Sequence, residues 1–336
     1  MRLVKGLSAI ALASVLALAG VGGATADPVK IRAGYVVAPA SLIPILFAHP
    51  GLAKHQGASY DFQPIFIGGS PPQITGIAAG EIEIATLNFA SFPLAVENAG
   101  LTDLKIIADE TEDGFDGYAT AEYMVLKDSG ITKPQDLKGK TMAVNVLGAG
   151  VDLGLRAYML THNMEFKRDY NTIEVPFPNM KAVLLDHKVD LITGAVPFVY
   201  DPELDAKART LFTMKDALNG TELSVWLVRG AFLQKNRAAL VDLLEDMVRS
   251  YRWYADPANH KEAVAILSKF TKIPPERLDW AFTKKDLYRD PNGVPDVAMM
   301  QHNIDTVYKL GFIKSPLDAG KFFDLSLVKE AAARIK

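Results

Sequence analysis

The chain has 336 residues, 49% of them hydrophobic, with 36 basic residues against 39 acidic ones and no cysteine. The slight acidic excess is scattered along the chain without a basic patch or stripe, which argues against a polyanionic partner such as nucleic acid. The missing cysteine excludes a disulfide framework, thiolate metal sites, cysteine nucleophiles and a lipidated N-terminal cysteine together.

Residues 1–26 read as a cleaved secretory leader. Arg2 and Lys5 precede an apolar and small-residue run from Leu7 to Val21, and Ala24-Thr25-Ala26 offers an A-x-A cleavage site. About 15 apolar residues fall short of the roughly 20 that span a bilayer, so export is expected rather than anchoring. The leader carries two basic residues and no acidic one, which leaves the mature chain near −5. A free periplasmic location is the expectation.

From Val29 onward, short β-branched runs alternate with helical patterns, the order of an α/β protein with parallel sheets flanked by helices. Strands are expected at Lys30 to Val37, Tyr60 to Ile67, Ile82 to Leu87 and Leu104 to Ala108. Helices fall between them near Leu42 to Phe47, Gln73 to Ala79 and Phe92 to Ala99. The acid- and glycine-rich stretch Asp109 to Gly117 is expected as a solvated crossover or hinge. Its Glu110, Glu112, Asp113 and Asp116 could otherwise pair as acid and base, bind calcium, or select an amine-bearing ligand.

A second series follows, with strands at Tyr123 to Lys127, Thr141 to Val146, Thr172 to Val175 and Val189 to Thr193. Helices Val151 to His162 and Asn179 to Asp186 lie between, and Leu223 to Val228 returns the chain to the first lobe. Beyond Ala231 the period becomes 3.6. Leu240, Leu243, Leu244, Met247, Val248 and Tyr251 share one helix face and Val264 with Leu267 another, a helical tail expected to complete the first lobe. The expected division is a leader at 1–26, lobe 1 at 27–114, lobe 2 at 115–222, and completion of lobe 1 with C-terminal helices at 223–336. A weak repeat supports two similar lobes: Pro71-Pro72-Gln73 leads through a helix to Gly80-Glu81-Ile82-Glu83, and Pro178-Asn179-Met180 leads at the same spacing to His187-Lys188-Val189-Asp190.

In open α/β sheets ligands bind beyond the carboxyl ends of strands, where helices begin. The expected ligand-binding residues therefore sit in six loops: Tyr35, Ala38 and Pro39; Gly68, Gly69, Ser70 and Gln73; Asn88 and Phe89; Leu147, Gly148 and Ala149; Phe177 and Asn179; Pro197 and Phe198. Backbone N–H groups at helix starts suit an oxygen-rich head, although capping and turn chemistry explains any single loop equally well. Phe66, Phe115, Tyr118 and Tyr200 nearby add rings without an obvious arginine, which favours an organic ligand with a flat or apolar body.

Signals for catalysis are poor. Gly148-Ala149-Gly150 with Gly154 and Glu174 imitates a dinucleotide fingerprint, but the last glycine comes one residue late and the acid too far on. Gly69-Ser70-Pro71 lacks the second glycine of a nucleophile elbow. The six histidines show no metal-ligand spacing. No enzyme activity, cofactor or metal is expected.

The run Ser129-Gly130-Ile131, Asp136-Leu137-Lys138-Gly139-Lys140 and Thr141-Met142-Ala143-Val144 resembles the start of the second lobe in a periplasmic binding family. That family serves nitrate, taurine and alkanesulfonate transporters and binds pyrimidine precursors of thiamine. The glycine-acid strand starts at Gly80-Glu81-Ile82-Glu83 and Lys188-Val189-Asp190 are similar to its own. The resemblance implies a type II periplasmic-binding fold, a monomer whose cleft closes on ligand and docks on an ABC permease with its ATPase, and ligand contacts at Gly148 to Gly150 and Gly68 to Gln73. Leu147-Gly148-Ala149-Gly150 lacks the serine or threonine of sulfonate binders, which points from a small sulfonate toward a larger organic anion such as an aromatic carboxylate or sulfonate. A thiamine-precursor pyrimidine is the alternative ligand, and a secreted enzyme or a sensor module the alternative roles.

Overall fold

A computed structural model describes residues 27–36, 38, 41–115 and 117–335. The leader expected at 1–26 lies outside the described residues, as do Pro39 and Asp116. No helix among the described residues is long and apolar enough to cross a membrane.

The first series is β1 (Val29–Tyr35), α1 (Ile43–Leu46), β2 (Tyr60–Phe66), α2 (Ser70–Ala79), β3 (Ile84–Asn88), α3 (Ser91–Ala99) and β4 (Leu104–Asp113). Each helix follows a strand as the alternation predicts, and the left-handed Gly80 (φ 71°) ends α2 where a side chain would be strained. The second series is β5 (Glu122–Leu126), β6 (Thr141–Val144), α4 (Gly150–Thr161), β7 (Asn171–Glu174), α5 (Met180–Leu185), β8 (Leu191–Gly194), α6 (Pro202–Lys207), β9 (Ala208–Thr213) and α7 (Met214–Leu218). The chain then continues through β10 (Thr221–Arg229), α8 (Gly230–Ala255), α9 (His260–Thr271), α10 (Val297–Lys309) and α11 (Ser326–Arg334).

Two five-stranded sheets result, ordered β2-β1-β3-β10-β4 and β7-β6-β8-β5-β9. The orders are equivalent. In each sheet the first three strands run parallel, and the fourth place is taken antiparallel by the strand that has just crossed from the other lobe: β10 in the first, β5 in the second. The sheets are therefore mixed rather than parallel throughout, because a crossing strand arrives from the opposite end. This equivalence is what the weak proline-to-strand repeat reflects.

The expected face of α8 is fully inside: Leu240, Leu243, Leu244, Met247, Val248 and Tyr251 are all buried, each worth roughly 1.5–3 kcal/mol against remaining exposed. It packs on β2, β4, β10 and α11. Strand β9 was not expected. Only Ala208 and Phe212 of its six residues are buried, too few to imprint a strand period.

The largest correction concerns the acidic stretch. Rather than a solvated hinge, Asp109, Glu110, Glu112 and Asp113 prolong β4, and each is at most 5% exposed. Strand β4 is last in its sheet, yet its free edge is covered by the chain near 288–293, which accepts from Glu112 N at Tyr288 O (2.9 Å) and from Asp109 N at Gly293 O (2.9 Å).

Candidate functional site

Between the two sheets lies a cavity of about 120 Å³. The first lobe contributes Ser41, Gly69, Ser70 and Asn88 from its helix starts, Glu110, Thr111 and Asp113 from β4, and Leu223 with Ser224 from β10. The crossover adds Ala119, Thr120 and Ala121. Asn145, Ala149, Gly150, Val151, Phe177, Ala195 and Val196 complete the far wall from the second lobe, and Leu287 closes one end.

Of the residues expected from the loops, Gly69, Ser70, Asn88, Ala149 and Phe177 meet on this cavity. Ser70 Oγ accepts from Asn88 N (3.1 Å) and Asn88 Nδ2 (3.0 Å), which ties the starts of α2 and α3 together. The others among the described residues are placed elsewhere. Gln73 is buried below, where its Oε1 accepts from Thr86 N (2.7 Å) and its Nε2 donates to Thr86 Oγ1 (3.1 Å). Phe89 is buried in the core, and Tyr35 meets Phe66 edge-on at 5.7 Å. Ala38 packs on the main hydrophobic core, and Gly68 and Asn179 are exposed. Leu147 is exposed with its N–H on Glu174 Oε1 (2.7 Å), and Gly148 donates to Asp152 Oδ2 (2.8 Å). Pro197 and Phe198 face a second hollow, shared with Phe177, Tyr200, Trp280 and Lys285. Phe115 and Tyr118 gather around Tyr288 in the hinge.

Loop reasoning left out Thr111 and Ser224 and placed Glu110 and Asp113 in a hinge, with selection of an amine-bearing ligand as an alternative, because it searched helix starts while these sit on strands. A signal was present: polar residues continuing an apolar strand without a turn residue until Gly114.

The helix starts offer fewer open amides than expected. At α3, Ala90 N (3.0 Å) and Ser91 N (2.8 Å) already donate to Asn88 Oδ1. Helix α2 opens with Ser70-Pro71-Pro72, and proline has no N–H. The start of α4, where Gly150 and Val151 line the cavity, carries no side-chain cap and keeps its amides available.

The opposite wall is acidic. Ser224 Oγ donates to Glu110 Oε2 (2.7 Å), and burial raises the Glu110 carboxyl above its ordinary range. Burial also pushes Asp113 up to about 6, against the pull of Thr120 Oγ1 and Ala121 N, which both donate to it. No lysine or arginine is among the described lining residues. Arg289 is buried behind the wall beside Asp286 (3.4 Å).

The sequence profile of the NMT1-like family matches residues 29–268. The chain belongs to the NMT1-like family. No curated protein matches the sequence at a significant level. Solved structures share the fold of this NMT1-like protein at low identity. The alkanesulfonate-binding protein SsuA from Xanthomonas axonopodis pv. citri, solved bound to MOPS, is 16% identical with a TM-score of 0.70, over 89% of this chain and 99% of that one. The periplasmic nitrate-binding protein NrtA from Synechocystis is 16% identical with a TM-score of 0.71, over 92% and 90%. The desulfurization enzyme DSZB is 12% identical with a TM-score of 0.63, over 92% and 100%. At such identities the likeness is one of fold.

Proposed function

We propose that this NMT1-like protein is the extracytoplasmic solute-binding component of an ABC importer, which captures a small organic molecule between its lobes and leaves it chemically unchanged. The observation that carries this is a cavity between the two sheets whose walls come from both lobes, so that ligand and lobe closure complete one another. Binding proteins for sulfonate and nitrate with this two-sheet fold support the role. The wall hydroxyl Ser70 bonds Asn88 rather than a base, and no histidine is among the described lining residues, which favours binding over catalysis. Export to the periplasm, the expected division into lobes, action as a monomer and docking on a permease with its ATPase belong to the same proposal.

The cavity chemistry shifts the ligand class from the organic anion expected at the sequence level. Glu110 and Asp113 would repel an anionic head when ionised, and one helix start is a weak counterweight, worth up to about 2 kcal/mol when partly buried. A molecule presenting an ammonium or N–H-rich nitrogen to Glu110 and Asp113 fits better, its apolar body against Val151, Phe177, Val196 and Leu287. Any acidic end would meet the start of α4.

Calorimetric titration with matched pairs, each an amine or amino-heterocycle beside a sulfonate or carboxylate of the same body, tests this. A nitrogen-bearing member should bind near micromolar, about −8.2 kcal/mol. Glu110→Gln should weaken it tenfold or more, since a hydrogen bond to a charged group is worth about 1.5–3 kcal/mol. Binding of the acids in preference to the amines would overturn the ligand class, and conversion of a bound member to product would overturn the role.

A further inference from the structure

Behind the cavity wall, next to Glu110 and Asp113, the ends of β4 and β10 bring three more carboxylates together. Asp109, Glu112 and Glu222 each place an oxygen within 4.8 Å of the other two. Asp109 and Glu222 are wholly buried and Glu112 is 4% exposed.

Clustering alone says little, but the hydrogen bonding is incomplete in a particular way. Asp109 Oδ2 accepts from Asp290 N (3.0 Å) and Glu222 Oε2 from Asp296 N (2.7 Å), so the tail chain holds one oxygen of each. The remaining oxygens, Asp109 Oδ1 and Glu222 Oε1, are buried with no donor, and so is Glu112 Oε2. An unpaired buried acceptor costs a large part of its lost hydration, and three ionised carboxylates in contact cost far more. A positive partner among them, a cation or a proton, would relieve both costs. Arg289 pairs with Asp286 at 3.4 Å and also favours the ionised form of Asp109, but it is not among the groups that bond the three open oxygens.

We infer that Asp109, Glu112 and Glu222 bind a divalent cation, and that calcium fits best. Calcium accepts oxygen ligands in flexible, irregular geometry, whereas magnesium demands near-ideal octahedral coordination and keeps several waters, for which a buried cluster leaves little place. Three carboxylates without nitrogen or sulfur suit a hard cation. The site joins the strand that leaves the first lobe, the strand that returns to it and the covering segment 288–296. Loading it fastens the base of the hinge. Burial, reinforced at Glu112 and Glu222 by the neighbouring acids, raises all three carboxyls, Asp109 to about 7 and Glu112 to about 8, so that a proton competes with a cation for the cluster. The competing occupant is a proton shared between Asp109 and Glu222.

The inference does not depend on which solute the cleft takes. Chelator-treated protein is titrated with calcium chloride and, separately, magnesium chloride by calorimetry, and its melting is followed with each. One calcium per chain should bind, more tightly than magnesium, with a rise in melting temperature. Glu112→Gln, which keeps the shape and removes a charge, should weaken calcium binding at least tenfold, while Glu81→Gln on the exposed surface should not. Absence of calcium binding by the unmutated protein would overturn the site, and so would binding that Glu112→Gln and Glu222→Gln both leave intact. The proton alternative predicts that outcome together with Glu222→Gln melting higher than the unmutated protein.

Discussion

Ser91 opens α3, and its Oγ donates to Gly148 O at 3.0 Å, across the space between the lobes. Its own N–H is occupied by Asn88, so the hydroxyl is free for this one bond. In the proposed opening both groups would return to water, which would make the bond a contribution to closure rather than to the folding of either lobe. Net hydrogen bonds of this kind are worth about 0.5–1.5 kcal/mol. Ser91→Ala should therefore raise the ligand Kd roughly two- to twelvefold, measured by calorimetry, with the melting temperature of the ligand-free protein unchanged. A large drop in melting temperature with intact affinity would instead make the hydroxyl a folding contact. Gln73 shows the opposite case from the same kind of loop. It stands one helical turn below Ser70 on the same face of α2, and that turn takes it under the cavity floor, where it satisfies the buried N–H of Thr86. Loop position identified both residues; depth along the helix decided that only Ser70 lines the cavity.

The helix starts also set how closely the lobes approach. Gly69 precedes α2 with φ 167°, an extended backbone open to any residue, so its glycine answers a spatial need. A Cβ there would stand 2.9 Å from Val146 Cγ2 on the second lobe. Gly69→Ala should hold the cleft ajar and weaken ligand binding while both lobes stay folded. Val146→Ala in the same chain should restore affinity; a double variant as weak as the single one would place the defect elsewhere than in this contact. Elements of this kind were legible in the sequence, since the alternation of strand and helix and the apolar face of α8 are local periodicities that burial imposes. The acids of β4 were not. Whether Asp109 to Asp113 meets water depends on the segment 288–293, far along the chain, and no local pattern announces which edge a distant loop will cover. The same holds for the cavity: its helix-start residues followed from topology, whereas Glu110, Asp113 and Ser224 required knowing that β4 and β10 lie side by side beneath the cleft.

The whole molecule is joined more firmly than two crossovers imply. Helices α8 and α11 pack on the first sheet, and the segment from Trp280 to Tyr288 also touches residues of the second series. Ala119 N donates to Asp286 O (3.0 Å), Tyr200 Oη donates to Lys285 O (2.5 Å), and the rings of Tyr200 and Trp280 lie 5.4 Å apart. The proposed closure would bend the two crossovers while the tail contact holds or slides, which favours a limited hinge rotation over wide separation. A compact chain of this length has a radius of gyration of about 20 Å. Small-angle scattering should show the ligand-free protein somewhat above its liganded value, with compaction that saturates at the same ligand concentration as calorimetry. Gly69→Ala should stay at the larger radius until ligand is raised in proportion to its weaker Kd, because a ligand shifts the closed population only by its preference for that state. Saturating binding with an unchanged radius in both proteins would mean that the lobes are fixed and the solute enters a standing cavity, and the bonds from Ser91 and Tyr200 would then be structural ties rather than parts of a closing device.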